Sequence, residues 1–122
     1  KKKLDIFQPN FRRNYIHVSD VVKAFIFSIE NFRYVKGNIF NVGLSDANLT
    51  KIQLAKRISR IVKNTKVKIL KNKEDPDKRD YYVSNKKIEK LGFKPDFSLD
   101  EGIKELKKIF LVNNFENNKN NY

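Results

Sequence analysis

The chain has no cysteine, no methionine and no tryptophan, one histidine, four glycines and three prolines in 122 residues. Without cysteine there is neither a disulfide framework nor a thiolate zinc site, and a lone histidine leaves only scattered carboxylates as further metal ligands, so no metal is expected. Gly37, Gly43, Gly92 and Gly102 never stand close enough together for a P-loop or dinucleotide fingerprint, so this chain offers no cofactor-binding residues of its own. No run approaches the roughly 20 apolar residues that span a bilayer. The opening Lys1-Lys2-Lys3-Leu4 has no apolar region behind it, unlike a signal peptide. A cytoplasmic protein with no membrane partner is the expectation. The length allows one domain with a modest core.

Basic charge is what the sequence has in excess, at a formal net +13. One reading is a small basic nucleic-acid-binding domain, whose affinity would fall steeply with salt as phosphate counterions are released. The lysines are spread along the whole chain, however. Lys, Asn, Ile and Phe are abundant while Ala is scarce, the skew that AT-rich coding DNA imposes. The charge is therefore read as compositional, nucleic acid is not expected as a partner, and the nucleic-acid domain stands as the alternative.

The apolar pattern alternates between strand and helix periods. Leu4 to Phe7 reads as a strand ended by Gln8-Pro9-Asn10, and Tyr15, Ile16 and Val18 favour extended backbone. Ser19 or Asp20 is expected to cap a helix with Val21, Val22, Phe25 and Ile29, buried on more than one side and ending near Asn31. Asn38 to Val42, bracketed by Gly37 and Gly43, suits an inner strand of a parallel sheet. Thr50 and Gln53 form a capping box before an amphipathic helix carrying Leu54, Ala55, Ile58, Ile61 and Val62. Val67, Ile69 and Leu70 predict a further strand, 71–78 a loop, and Tyr81-Tyr82-Val83 a minimal strand. Ser84 is expected to cap a short helix that Gly92 terminates. Ser98 and Glu101 make a second capping box, opening a helix with Ile103, Leu106 and Phe110 inward. The asparagine-dominated 113–122 reads as a disordered tail. Strands alternating with helices indicate an α/β protein with parallel pairing.

Chemistry-bearing residues are few. His17 lies in an extended run beside a helix start with no nucleophile or carboxylate at suggestive spacing, so a structural role outweighs acid–base work. Arg13 and Arg79 differ from the lysine background: each is expected where strand meets loop, and each has a tyrosine two residues on, Tyr15 and Tyr81. Guanidinium forks suit paired phosphate oxygens and neighbouring rings can pack on a base or sugar. The plainer reading is a surface salt bridge, Arg79 with Asp75 or Asp77, and spacing alone leaves the two even.

Five motifs taken in order tip that balance: Arg13-Asn14-Tyr15-Ile16-His17-Val18, Gly37-Asn38-Ile39-Phe40-Asn41-Val42-Gly43, Asp75-Pro76-Asp77-Lys78-Arg79-Asp80-Tyr81, Lys87-Ile88-Glu89-Lys90-Leu91-Gly92-Phe93-Lys94-Pro95, and Ser98-Leu99-Asp100-Glu101-Gly102. Together they resemble the C-terminal portion of an extended short-chain dehydrogenase/reductase, the NAD-dependent epimerase/dehydratase family of nucleotide-sugar enzymes. The resemblance implies an α/β, Rossmann-type enzyme whose N-terminal dinucleotide-binding half lies upstream of the matched region. Residues 1–112 would be its substrate-binding region. It further implies that Arg13, with Tyr15, lies near a nucleotide-diphosphate sugar, and that Arg79, with Asp80 and Tyr81, grips the diphosphate. Asn14 stands where the family usually has aspartate.

The family's glycine-rich NAD loop and catalytic Tyr-x-x-x-Lys have no counterpart here. Tyr82 and Lys86 have that spacing, but Tyr82 is expected in a strand, where the two side chains would not share a helix face, so no catalytic residue is assigned. NAD or NADP would serve the full-length enzyme, which can be a homodimer, and this chain would be an incomplete, inactive part needing its missing Rossmann half.

Overall fold

A computed structural model describes residues 2–71, 74 and 76–112. The expected tail, 113–122, and Asp75 lie outside these residues.

β1 (Lys2–Ile6) alternates as a half-buried strand should, with Leu4 and Ile6 turned inward and Asp5 outward. β2 (Arg12–Asn14) follows a turn, and α1 (Val18–Glu30) and the single turn α2 (Phe32–Val35) come next. β3 (Asn48–Thr50) runs directly into α3 (Lys51–Ile61), which leads to β4 (Thr65–Ile69). α4 (Lys86–Glu89) and α5 (Leu99–Val112) complete the order. β1 pairs with β4 in parallel, from Lys2 opposite Thr65 to Ile6 opposite Ile69, and the crossover includes α3, which packs on both strands and on α5. β2 and β3 form a separate antiparallel ladder, from Arg12 opposite Thr50 to Asn14 opposite Asn48.

Both capping boxes form. Thr50 Oγ1 accepts from the Gln53 N–H while Gln53 Oε1 accepts from the Thr50 N–H. Ser98 and Glu101 reciprocate in the same way. Gly92 takes φ +99° at the end of α4, the left-handed conformation that releases a helix, and the Phe93 N–H reaches back to the Ile88 carbonyl.

The start of α1 departs from expectation. Neither Ser19 nor Asp20 caps it: His17 sits at the cap in extended conformation and its Nδ1 accepts from the Ser19 N–H at 3.2 Å. Asp20 is 1% exposed and spends its carboxylate elsewhere, accepting from the backbone N–H groups of Asp96 (2.7 Å) and Phe97 (3.1 Å). A carboxylate that deep is tolerated because donors satisfy it, and the bonds pin the 96–97 turn to α1.

Ala24, Phe27 and Phe40 pack with Ile88 and Phe93, and Phe27 meets Phe93 edge to face at 5.6 Å. Among the described residues the buried apolar set is small: Ala24, Ala47, Ala55, Ile88, Phe93 and Ile103. α1 is not buried on more than one side. Val18, Val22, Phe25, Ile26 and Ile29 are all more than half exposed, because only its Ala24 face meets the core. On α5, Ile103 turns inward as expected, but Leu106 and Phe110 are 57% and 61% exposed.

Two expected strands are absent. Residues 38–42 are neither helix nor strand, and Ile39 is 87% exposed. A strand is a hydrogen-bonding relation, and no ladder partner lies beside this run among the described residues; Lys87 Nζ donates to the Ile39 carbonyl at 2.9 Å. Residues 81–83 likewise lack a strand partner, and a side chain supplies the bonding instead: Asn48 Nδ2 donates to the Val83 carbonyl (3.0 Å) and Asn48 Oδ1 accepts from the Val83 N–H (2.9 Å). Asn14 treats Leu44 the same way, donating to its carbonyl at 2.8 Å and accepting from its N–H at 3.0 Å. Gly43 is glycine because of that approach: a Cβ there would stand 2.2 Å from Asn14 Oδ1. Ser84 does not cap α4; its carbonyl accepts from Asn41 Nδ2, and Asn85 occupies the cap position with no side-chain bond to the helix.

Two stability predictions follow from these bonds. Asp20→Ala removes the buried acceptor of two backbone N–H groups and is expected to lower the unfolding free energy by about 1–3 kcal/mol in urea denaturation. Asn14→Asp keeps the acceptor but places a carboxylate against the Leu44 carbonyl, and is expected to cost about 1–3 kcal/mol by the same measurement.

Candidate site: an arginine-clamped loop

Adjacent residues of a strand face opposite sides, so Arg12 and Arg13 cannot do the same work. Arg12 points outward to Asp80. Its Nε and Nη2 donate to Oδ1 (3.1 Å) and Oδ2 (3.2 Å), and its backbone N–H donates to Oδ1 at 2.8 Å. These bonds hold the Asp80 carboxyl below its ordinary pKa and raise that of Arg12.

Arg13 points inward, its side chain 14% exposed, and its guanidinium threads the opposite loop. Nη1 donates to the Arg12 carbonyl at 2.8 Å and to the Arg79 carbonyl. Nη2 donates to the Asp77 carbonyl at 3.0 Å and lies 3.2 Å from Asp77 Oδ2. The Tyr81 ring lies 5.2 Å from the guanidinium carbon, within cation–π range. Tyr15 is half-buried; burial raises its phenol pKa, the Arg13 charge opposes that rise, and Tyr81 adds to it.

Arg79 is the open end of the cluster, its side chain 76% exposed. Nε and Nη2 donate to Asp77 Oδ1 (2.6 Å) and Oδ2 (2.8 Å), filling the guanidinium fork. The hydrogen bonds from Arg79, aided by the Arg13 charge, push the Asp77 carboxyl far below the usual carboxylate range. Arg13, Arg79, Tyr81 and Asp77 thus meet on one loop, with Tyr15 coupled to Arg13 and Tyr81, while Asp80 belongs to the Arg12 pair. Asp77 appeared in the sequence only as a salt-bridge partner of Arg79. The aspartate two residues before an arginine was the available signal, and its reach to Arg13 was not.

His17 belongs elsewhere. Because Nδ1 accepts from Ser19, the neutral ring carries its proton on Nε2, which lies 2.9 Å from Glu105 Oε2 on α5. The ring stacks on Phe97 at 4.2 Å. These contacts tie the start of α1 to α5 and to the turn Asp20 holds, a structural role. A cleft of about 440 Å³ lies alongside, lined by Tyr15, His17, Leu44, Leu99, Ile103 and Leu106 among others.

Among the described residues no group of three or more His, Asp or Glu side chains could hold a metal ion, and no helix is long and apolar enough to cross a membrane. Gly43 makes room for Asn14, Gly92 ends α4, Gly102 lies within α5, and Gly37 at φ +72° follows α2 without opening a helix. Among the described residues no strand, glycine turn and helix come together as a pyrophosphate cradle.

No family model matches the chain. The dTDP-D-glucose 4,6-dehydratase of Mus musculus is 32% identical over 117 residues, which is 89% of this chain and 32% of the mouse protein. Among solved structures, a UDP-glucose 4-epimerase from Thermotoga maritima with UDP-glucose superposes with a TM-score of 0.70 at 25% identity, covering 93% of this chain and 36% of that one. A dTDP-glucose 4,6-dehydratase from Bacillus anthracis in complex with NAD gives a TM-score of 0.69 at 20% identity, covering 92% of this chain and 35% of its own. The chain spans about a third of the length of the proteins it matches. In sequence and in fold it belongs to the NAD-dependent epimerase/dehydratase family of extended short-chain dehydrogenases/reductases, as the C-terminal portion of that Rossmann-type fold.

Proposed function

We propose that this chain is the substrate-binding portion, residues 1–112, of an NAD(P)-dependent nucleotide-sugar epimerase, dehydratase or reductase. Arg13, Arg79, Tyr15, Asp80 and Tyr81 form the diphosphate end of its site. The observation that carries the reading is the loop at 77–81: an inward arginine holds it, an outward arginine presents a planar fork, and a tyrosine ring lies beside them. A fork of that kind matches two oxygens of a phosphate and does so at any neutral pH. The family resemblance implies substrate contacts at these same residues.

The cofactor and the proton-transfer groups come from a Rossmann half that this chain does not supply. Two surfaces favour that partner. Residues 38–42 have no ladder partner among the described residues and lie beside α1, where Phe25 is 70% exposed and Ile29 74%. A groove lined by Val21, Ala24, Phe25, Phe40 and Val42 joins the two. A strand laid against 38–42 and a helix laid on α1 would bury both.

With an in-frame Rossmann half joined upstream of Lys1, NAD(P)-dependent turnover of a nucleotide sugar is expected, and the chain alone is expected to show none. In the joined enzyme, Arg13→Ala and Arg79→Ala should each raise the Michaelis constant by roughly tenfold or more, Arg79 through the loss of charge-assisted bonds and Arg13 through the loss of the loop's position. Unchanged Michaelis constants in both variants would remove the site assignment. Turnover by the chain alone would remove the division of labour.

A further inference from the structure

We propose that Asp77 is an internal competitor for the phosphate site, its carboxylate occupying the Arg79 fork until a more highly charged anion displaces it. The proposal rests on the reading above and adds a residue to it that sets affinity rather than supplying it.

The geometry separates Asp77 from an ordinary surface partner. A carboxylate that meets a guanidinium at Nε and Nη2 with both oxygens takes the two donors a phosphate would use, and Asp77 does so at 2.6 and 2.8 Å. Its Oδ2 also lies 3.2 Å from Arg13 Nη2, so one carboxylate touches both arginines.

The two cations are not equally available. Arg13 is 14% exposed and its terminal nitrogens are engaged by the carbonyls of Arg12, Asp77 and Arg79, so it is committed to the loop backbone. Arg79 is 76% exposed and its side-chain bonds among the described residues go to Asp77, so exchanging that one partner hands the whole fork to a ligand. Arg13 is then a positioning residue for the loop and Arg79 the gripping one.

Exchange is favourable for a diphosphate and poor for a weaker anion. A diphosphate brings more charge and more oxygens to the fork than one carboxylate does, and the released Asp77 returns to water on an exposed loop. The pair is only two residues apart in sequence, so it re-forms by local rotation when the ligand leaves. Asp77 thereby weakens binding and hastens release.

The test is the dissociation constant of inorganic pyrophosphate for the full 122-residue chain by titration calorimetry at low ionic strength. Asp77→Asn keeps the shape and an acceptor oxygen but loses the charge, and is expected to bind roughly three- to tenfold more tightly, the gain shrinking as salt is added. Asp77→Ser should move in the same direction. Glu30→Gln, which removes one charge from the exposed end of α1, should stay within about twofold of the parent. Equal or weaker binding by both Asp77 variants overturns the proposal, as does an equal gain in Glu30→Gln or a complete absence of pyrophosphate binding in the parent and both Asp77 variants. Arg79→Ala separates the two claims. If it weakens binding while the Asp77 variants change nothing, only the competitor role falls. If it leaves the parent's binding unaltered, the phosphate site falls with it.

Discussion

The side-chain amides of Asn14 and Asn48, partners in the last rung of the β2–β3 ladder, each grip the backbone of a loop that has no strand to pair with. A side-chain amide carries one donor and one acceptor orientation matching a peptide edge, so asparagine can stand in for a neighbouring strand at a single residue. Asn14 does this for Leu44 and Asn48 for Val83. On either side of Asn14 the same short run continues the work: Arg12 holds Asp80, Arg13 holds the carbonyls of Asp77 and Arg79, and the Tyr15 N–H donates to the Ala47 carbonyl. Four consecutive residues therefore fix segments thirty or more residues away in sequence, and the two arginines reach more than sixty. The candidate site is built on a loop, and its rigidity comes from β2.

The division between what was legible in the sequence and what was not follows the range of the interactions. Thr50 with Gln53, Ser98 with Glu101, and Gly92 after α4 are settled within four or five residues of chain, and each forms as expected. The alternation of Leu4 and Ile6 with Asp5 likewise marked β1. The runs at 38–42 and 81–83 have strand-forming residues, but strand identity needs a partner that composition cannot supply. Asp20 was read as a cap because aspartate before a helix often is one; its long-range bonds to the 96–97 turn outcompeted that local role and left His17 at the cap. At the site, residue type singled out Arg13 and Arg79 from a lysine background. Which arginine turns inward was hidden, because it depends on the phase of a three-residue strand.

Net charge says little about where charge acts in this molecule. Of the 14 acidic residues, Asp77 and Asp80 sit against arginines of the loop cluster, Asp96 against Lys23, Asp100 against Arg57 and Glu105 against His17. Most of these pairs join elements distant in sequence, and several are short. The acids are scarce and are used as joints. The excess lysines have no comparable concentration on one element, which leaves the basic character diffuse and the arginine loop locally close to neutral.

That local neutrality depends on guanidinium geometry. Arg13 meets three carbonyls and one carboxylate from a single planar group, with the tyrosine ring beside it. An ammonium has three donors around one nitrogen and cannot reach acceptors spread across two residues of a facing loop while lying along a ring. The inward position therefore selects arginine for reasons of structure. The outward position, where Arg79 meets one carboxylate through two parallel bonds, selects it for the planar fork that makes them. The same side chain serves both positions because the loop backbone engages the terminal nitrogens of the first and exposure leaves the second an open face.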